Sequence, residues 1–128
     1  MSRQPLPRGY DWIHMRDVLQ HLQCPAVVAS LLNIAASDAR FAMITSYDAP
    51  NNQPILRPGG YTDLNLRRPP FNLVPDRVLS EDTPLYLPKA SNKLYLVFRL
   101  ESLRKVDWEM MRLGCTCFSS NVTRCTQR

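Results

Sequence analysis

Glycine is scarce in this chain: 4 residues of 128, against 11 prolines. Average usage places glycine, at about 7%, above proline, at about 5%. None of Gly9, Gly59, Gly60 and Gly114 follows an early strand and opens a helix. A glycine-rich turn of the kind that cradles phosphates is therefore absent from these residues. Long apolar runs are missing too, which excludes a membrane span of about 18 residues or more. The opening MSRQPLPRGYDW carries arginine and proline where a signal peptide needs an apolar stretch, so a cytoplasmic protein is expected. Metal chemistry has little to work with. Three of the four cysteines, Cys115, Cys117 and Cys125, are spaced C-x-C-x7-C with no histidine nearby, which matches neither a zinc pair nor a redox C-x-x-C. With Cys24 far upstream, the expectation is exposed thiols on a ragged tail and no metal site. Asn121-Val122-Thr123 is formally a glycosylation sequon, but carries no weight without a secretory leader. Lys+Arg number 16 against 11 Asp+Glu, yet the only adjacent basic pairs are Arg67-Arg68 and Arg104-Lys105. So diffuse an excess predicts no nucleic-acid surface.

What is present is ordinary globular material, 45% hydrophobic and 21% charged, enough for a single domain. Residues 10–15 form a short, largely apolar run that predicts a buried strand. Asp17 then opens about one helical turn. Pro25 suits a first helical turn, where its missing N–H costs nothing, and Val27, Val28, Leu31, Leu32 and Ala35 follow on one stripe, predicting a helix over 25–36. Residues 41–46 predict a second apolar strand. Strand, helix, strand is the pattern of a parallel βαβ unit, and hence of an α/β fold. Residues 48–60 read as loop. Residues 61–66 alternate like a half-exposed strand that Pro69-Pro70 ends. Residues 72–92 read as irregular, and 93–100, KLYLVFRL, as the strongest strand of the chain. After Leu113 periodicity fades, which predicts a disordered or loosely attached tail.

Three segments in this order resemble a known family. They are Tyr10-Asp11-Trp12-Ile13-His14-Met15-Arg16-Asp17-Val18-Leu19-Gln20-His21-Leu22, then Gly59-Gly60-Tyr61 through Pro75, then Lys93 through Leu100. Together they resemble the C-terminal half of a bacterial-type class I S-adenosylmethionine-dependent methyltransferase. Val97-Phe98 stands where the family has a Leu-Trp pair. The resemblance runs over residues 8–103, with residues 104–128 as a divergent tail. It implies part of a Rossmann-like sheet, strands four to seven of the family, in which the last two strands pair as an antiparallel edge. It also implies S-adenosylmethionine as cofactor and a small-molecule or protein methyl acceptor. The family's glycine-rich loop and acidic ribose-binding residue have no counterpart here. The expectation is thus a truncated methyltransferase-like protein that does not bind the cofactor unaided. The alternative is a non-catalytic remnant or interaction module that pairs, with itself or another chain, through an open sheet edge.

By resemblance, Met15, Arg16 and Asp17 line the cofactor side, where open α/β sheets bind ligands. His21, Tyr47, Asp48 and Phe71 are the candidates for the substrate side. Four of these have a plainer reading. Asp17 could cap the following turn, His21 pack on a neighbouring helix, Asp48 bond its own backbone, and Phe71 pack at the sheet edge. His14 reads as a hydrogen-bonded core residue. Methyl transfer needs chiefly alignment, so the catalytic residue stays unknown at this level.

Overall fold

The structure, a computed structural model, describes residues 4–80 and 92–120. Strand β1 (Trp12–Met15) is followed by a single 3-10 turn at Leu19–His21, then helix α1 (Cys24–Ala35) and strand β2 (Phe41–Tyr47). The α1 crossover leaves β1 and β2 parallel, with Trp12 opposite Phe41. Strand β3 (Arg77–Ser80) and strand β4 (Lys93–Arg99) complete a mixed sheet of order β1-β2-β4-β3, in which β4 is antiparallel to both neighbours. Helices α2 (Leu100–Arg104) and α3 (Trp108–Ser120) follow. The α/β class and four of the expected elements stand, each within two residues of its expected ends.

Alternation along the strands divides the sheet into two unlike faces. Ala42 and Ile44 of β2 and Leu96 and Phe98 of β4 are sealed from solvent, in one core with Val27, Leu31 and Ile34 of α1 and Leu100 and Leu103 of α2. Register puts Trp12 and His14, Phe41 and Met43, Tyr95 and Val97, and Arg77 and Leu79 on the other face. There Trp12 stacks on Phe41 with centroids 5.0 Å apart and is still 52% exposed. His14, exposed and edge-on to Tyr95 at 5.9 Å, is thus no core residue.

Two expected features are corrected. Residues 61–66 form no strand: a backbone bond from the Tyr47 N–H to the Leu64 carbonyl at 2.9 Å reaches β2, but side chains take the groups that would continue a ladder. The Asn65 N–H donates to Asn52 Oδ1 at 2.7 Å, Asn52 Nδ2 donates to the Asn65 carbonyl at 2.8 Å, and the Leu66 N–H donates to Ser46 Oγ at 3.0 Å. The place beside β4 goes instead to β3, inside the stretch expected to be irregular. Its four residues are all exposed, so it carries no apolar alternation to read.

The tail is corrected as far as residue 120. Asp107 Oδ1 accepts the Met110 N–H at 3.1 Å, an N-cap, and opens α3. Trp108, Met111, Cys115 and Phe118 then recur on one stripe and join the core. Cys24 and Cys115 are bonded to each other across 91 residues of sequence, both nearly buried, and Cys117 is disulfide-bonded as well. The exposed-thiol expectation fails for these three because the stripe that seats α3 runs through Cys115. Cys125 and the Asn121 sequon lie outside the described residues. No helix among the described residues is long and apolar enough to cross a membrane.

Candidate functional site

The carboxyl ends of β1 and β2 meet the amino end of β4, because antiparallel pairing sets Lys93 opposite Tyr47. Asp17, two residues past β1, has φ +56°, a left-handed conformation that Asp tolerates better than most side chains. Its N–H donates to Thr45 Oγ1 at 3.1 Å, tying the end of β1 to β2. Its carboxylate takes Lys93 Nζ at 2.8 Å, Gln20 Nε2 at 3.3 Å and Arg16 Nε at 3.5 Å. The hydrogen bond from Lys93 is the chief reason that the Asp17 carboxyl lies below its ordinary range, with Gln20 and Arg16 adding to it against partial burial. Asp17 makes no cap, since the 3-10 turn begins at Val18 without a side-chain hydrogen bond.

Beside this cluster lies an aromatic group. His21 Nδ1 is 3.4 Å from the Gly60 carbonyl and its ring is 5.5 Å from Tyr61, so it packs on a loop and not on a helix. Tyr47, buried, meets Tyr61 edge-on at 6.4 Å. The Tyr61 hydroxyl donates to Asp63 Oδ1 at 2.6 Å. Desolvation, then the bonds to Asp63 and Tyr47, push its pKa well up, so it stays a proton donor. Asp48 is exposed, 3.5 Å from Arg67 Nη2.

Of the candidates, the structure brings Arg16, Asp17, His21, Tyr47 and Asp48 to one end of the sheet. The Met15 side chain is buried in the core, which leaves its backbone for any contact there. Phe71 is buried against the helices and lines a groove beside α3, away from the cluster. Thr45, Gln20, Lys93 and Tyr61 belong to the site and were not singled out from the sequence. Lys93 is the instructive case. As the first residue of a strong strand it reads as an edge charge, and only the antiparallel direction of β4 brings it to Asp17.

A cavity of about 370 Å³ opens along β1, lined by Leu6, Ile13, Met15, Arg16, Val18 and Ile34 among others. Its walls are largely apolar, its Ser30 hydroxyl is committed to the Ala26 carbonyl, and Asp17 is not among its lining residues. Nor do these glycines offer a cradle: a Cβ on Gly9 or Gly59 would meet open space, and one on Gly60 would meet Ile55 Cγ2 at 2.7 Å, room that the chain's own loop fills. These residues do not fit the whole of a nucleoside-type cofactor. Among the described residues no three His, Cys, Asp or Glu side chains are grouped to hold a metal. No family model, curated protein or solved structure matches the chain.

Asp17→Asn tests the cluster. A depressed carboxyl stabilises the fold above the unfolded value near 4, and that contribution fades as pH falls through the folded value. The pair with Lys93 is partly exposed, so the variant is expected to lose about 0.5–1 kcal/mol near pH 7 in urea unfolding and less near pH 3, below the unfolded carboxyl value of about 4. An equal deficit at both pH values would contradict this account.

Proposed function

We propose that this chain is a methyltransferase-like partial domain that carries one side of an S-adenosylmethionine cleft, the side at Arg16, Asp17 and the Met15 backbone. The observation that carries the reading is the antiparallel edge of β3 and β4 beside a parallel pair; the sequence resemblance implies such an edge, although it places the strand beside residues 93–100 at 61–66 and not at 77–80. Its support also includes the placement of Asp17 at a strand's carboxyl end in a strained backbone conformation, a feature that concentrates at functional sites. Because the residues present do not fit the whole cofactor, no transfer step is assigned to them. His21, Tyr47 and Asp48, on the same end of the sheet, are the proposed face toward a small-molecule or protein acceptor.

A second reading has an observation of its own. Among the described residues β1 ends the sheet with one neighbour, and the face bearing Trp12, Phe41, Met43 and Val97 stays partly exposed. An open edge and an apolar face suit an interaction module that pairs with another copy or another chain. The two readings part in a titration of the labelled chain with S-adenosylmethionine, followed by amide chemical shifts. At about 10 mM cofactor, where a one-sided contact worth roughly 3 kcal/mol becomes visible, shifts confined to residues 15–17 and 45–48 are expected. No shift at these amides would overturn the cofactor reading and leave the interaction module.

A further inference from the structure

Helix α3 is tied to α2 and to α1 at two points by different means. At its start, the short Lys105–Asp107 connection joins it to α2, and Trp108 Nε1 donates to the Leu103 carbonyl at 3.1 Å. Two turns on, Cys115 is bonded to Cys24 at the first turn of α1. Between these ties the contact is narrow. Met111 and Cys115 are buried and Trp108 and Phe118 half-buried, while Met110 is 47% and Leu113 61% exposed on the other side. The hydrogen bonds of Arg112 to Glu109 and of Thr116 to the Arg112 carbonyl are made within the helix. A helix of 13 residues with Gly114 and Thr116 in its interior is marginal in water and depends on packing and cross-links to persist.

We propose that the Cys24–Cys115 bridge is a redox latch: closed, it holds α3 against α1; open, α3 leaves α1 as a unit about the Lys105–Asp107 hinge while the sheet, α1 and α2 stay folded. The sheet keeps its own core when α3 leaves, because Ile44, Leu96 and Phe98 are sealed together with Val27, Leu31 and Ile34 of α1 and Leu103 of α2. What opening uncovers is the start of α1, where Cys24 and, one helical turn on, Val28 share a face. It also opens the groove of about 610 Å³ between α3 and residues 70–74.

The reductant is a dithiol. One of its thiolates attacks a bridge sulfur and forms a mixed disulfide, and its second thiolate displaces the remaining cysteine and closes a cyclic disulfide. Two electrons and two protons pass to Cys24 and Cys115, which end as thiols. Both sulfur-bearing residues are nearly buried, at 5% and 2% exposure, so attack follows a transient lifting of α3. The latch stands independently of any cofactor role for the chain.

Hydrogen exchange by mass spectrometry tests it on three forms of the full chain: oxidised, reduced with dithiothreitol, and the Cys24→Ser/Cys115→Ser variant, in which Cys117 keeps its own bond. The expected result is exchange at least about tenfold faster over residues 110–118 in both open forms, with residues 42–46 and 94–98 as protected as in the oxidised chain. Unchanged protection of α3 in the open forms overturns the latch. Loss of protection in β2 and β4 together with α3, or a variant that does not fold, overturns it too, because the bridge would then be a staple of the whole fold.

Discussion

Asn52→Asp is expected to cost about 3 kcal/mol, out of proportion to a change of one atom. Asn52 is 8% exposed and works as a surrogate strand for the segment that follows it. Its Oδ1 accepts the Asn65 N–H at 2.7 Å, and its Nδ2 donates to the carbonyls of Asn65 and Pro69, both at 2.8 Å. An aspartate keeps the acceptor and loses the donor. It then sets a buried carboxylate oxygen against two carbonyl oxygens, and each buried polar group left unpaired costs about 1–3 kcal/mol. Asn65 carries the effect onward, since its own Nδ2 donates to the Ala49 carbonyl at 2.7 Å. Chemical unfolding measures the loss, and a variant within about 0.5 kcal/mol of the parent would show that the network adds nothing.

Phe98→Ala is expected to be larger still, about 3–5 kcal/mol. Phe98 is 1% exposed on β4, a central strand, opposite Ala42, and it fills the space between the sheet and the helices. Its small partner across the strands cannot expand into the gap, so a cavity remains beside Leu100 and Ile44, which share its core. For a domain whose whole stability is about 5–15 kcal/mol, the change is a large fraction of the total. Thermal unfolding reads it as a fall in Tm, and Val97→Ala on the half-exposed face should fall by far less. Equal losses at the two positions would contradict the division of the sheet into a sealed and an open face.

Elements whose cause is local could be read from the chain. The stripe of Val27, Val28 and Leu31 behind Pro25 defines α1, and the apolar runs at 41 and 93 define β2 and β4. Elements made by distant partners could not be read. Leu64 and Leu66 alternate as a strand does, yet Ser46 takes the Leu66 N–H and Asn52 takes both backbone groups of Asn65 between them. β3 has no apolar face and exists because the Asp76 N–H donates to the Val97 carbonyl while its Oδ2 accepts the Arg99 N–H. α3 was hidden because two of the residues in and beside its buried stripe are cysteines, which local periodicity does not weigh as core. At the site, Asp17 was legible from its place after a strand. Its partners Lys93 and Thr45 are 76 and 28 positions away, and only the sheet assembles them.

The claim that these residues carry no more than one side of a cofactor cleft is tested most directly by thermal unfolding of the chain with and without S-adenosylmethionine at about 1 mM. A contact with a dissociation constant near 10 mM adds only about 0.06 kcal/mol at that concentration, so a cooperative transition that does not move is predicted. A clear rise in Tm, from the roughly 2.7 kcal/mol that ligand at 100 times its dissociation constant supplies, would mean that a complete cofactor site is present and would contradict the account.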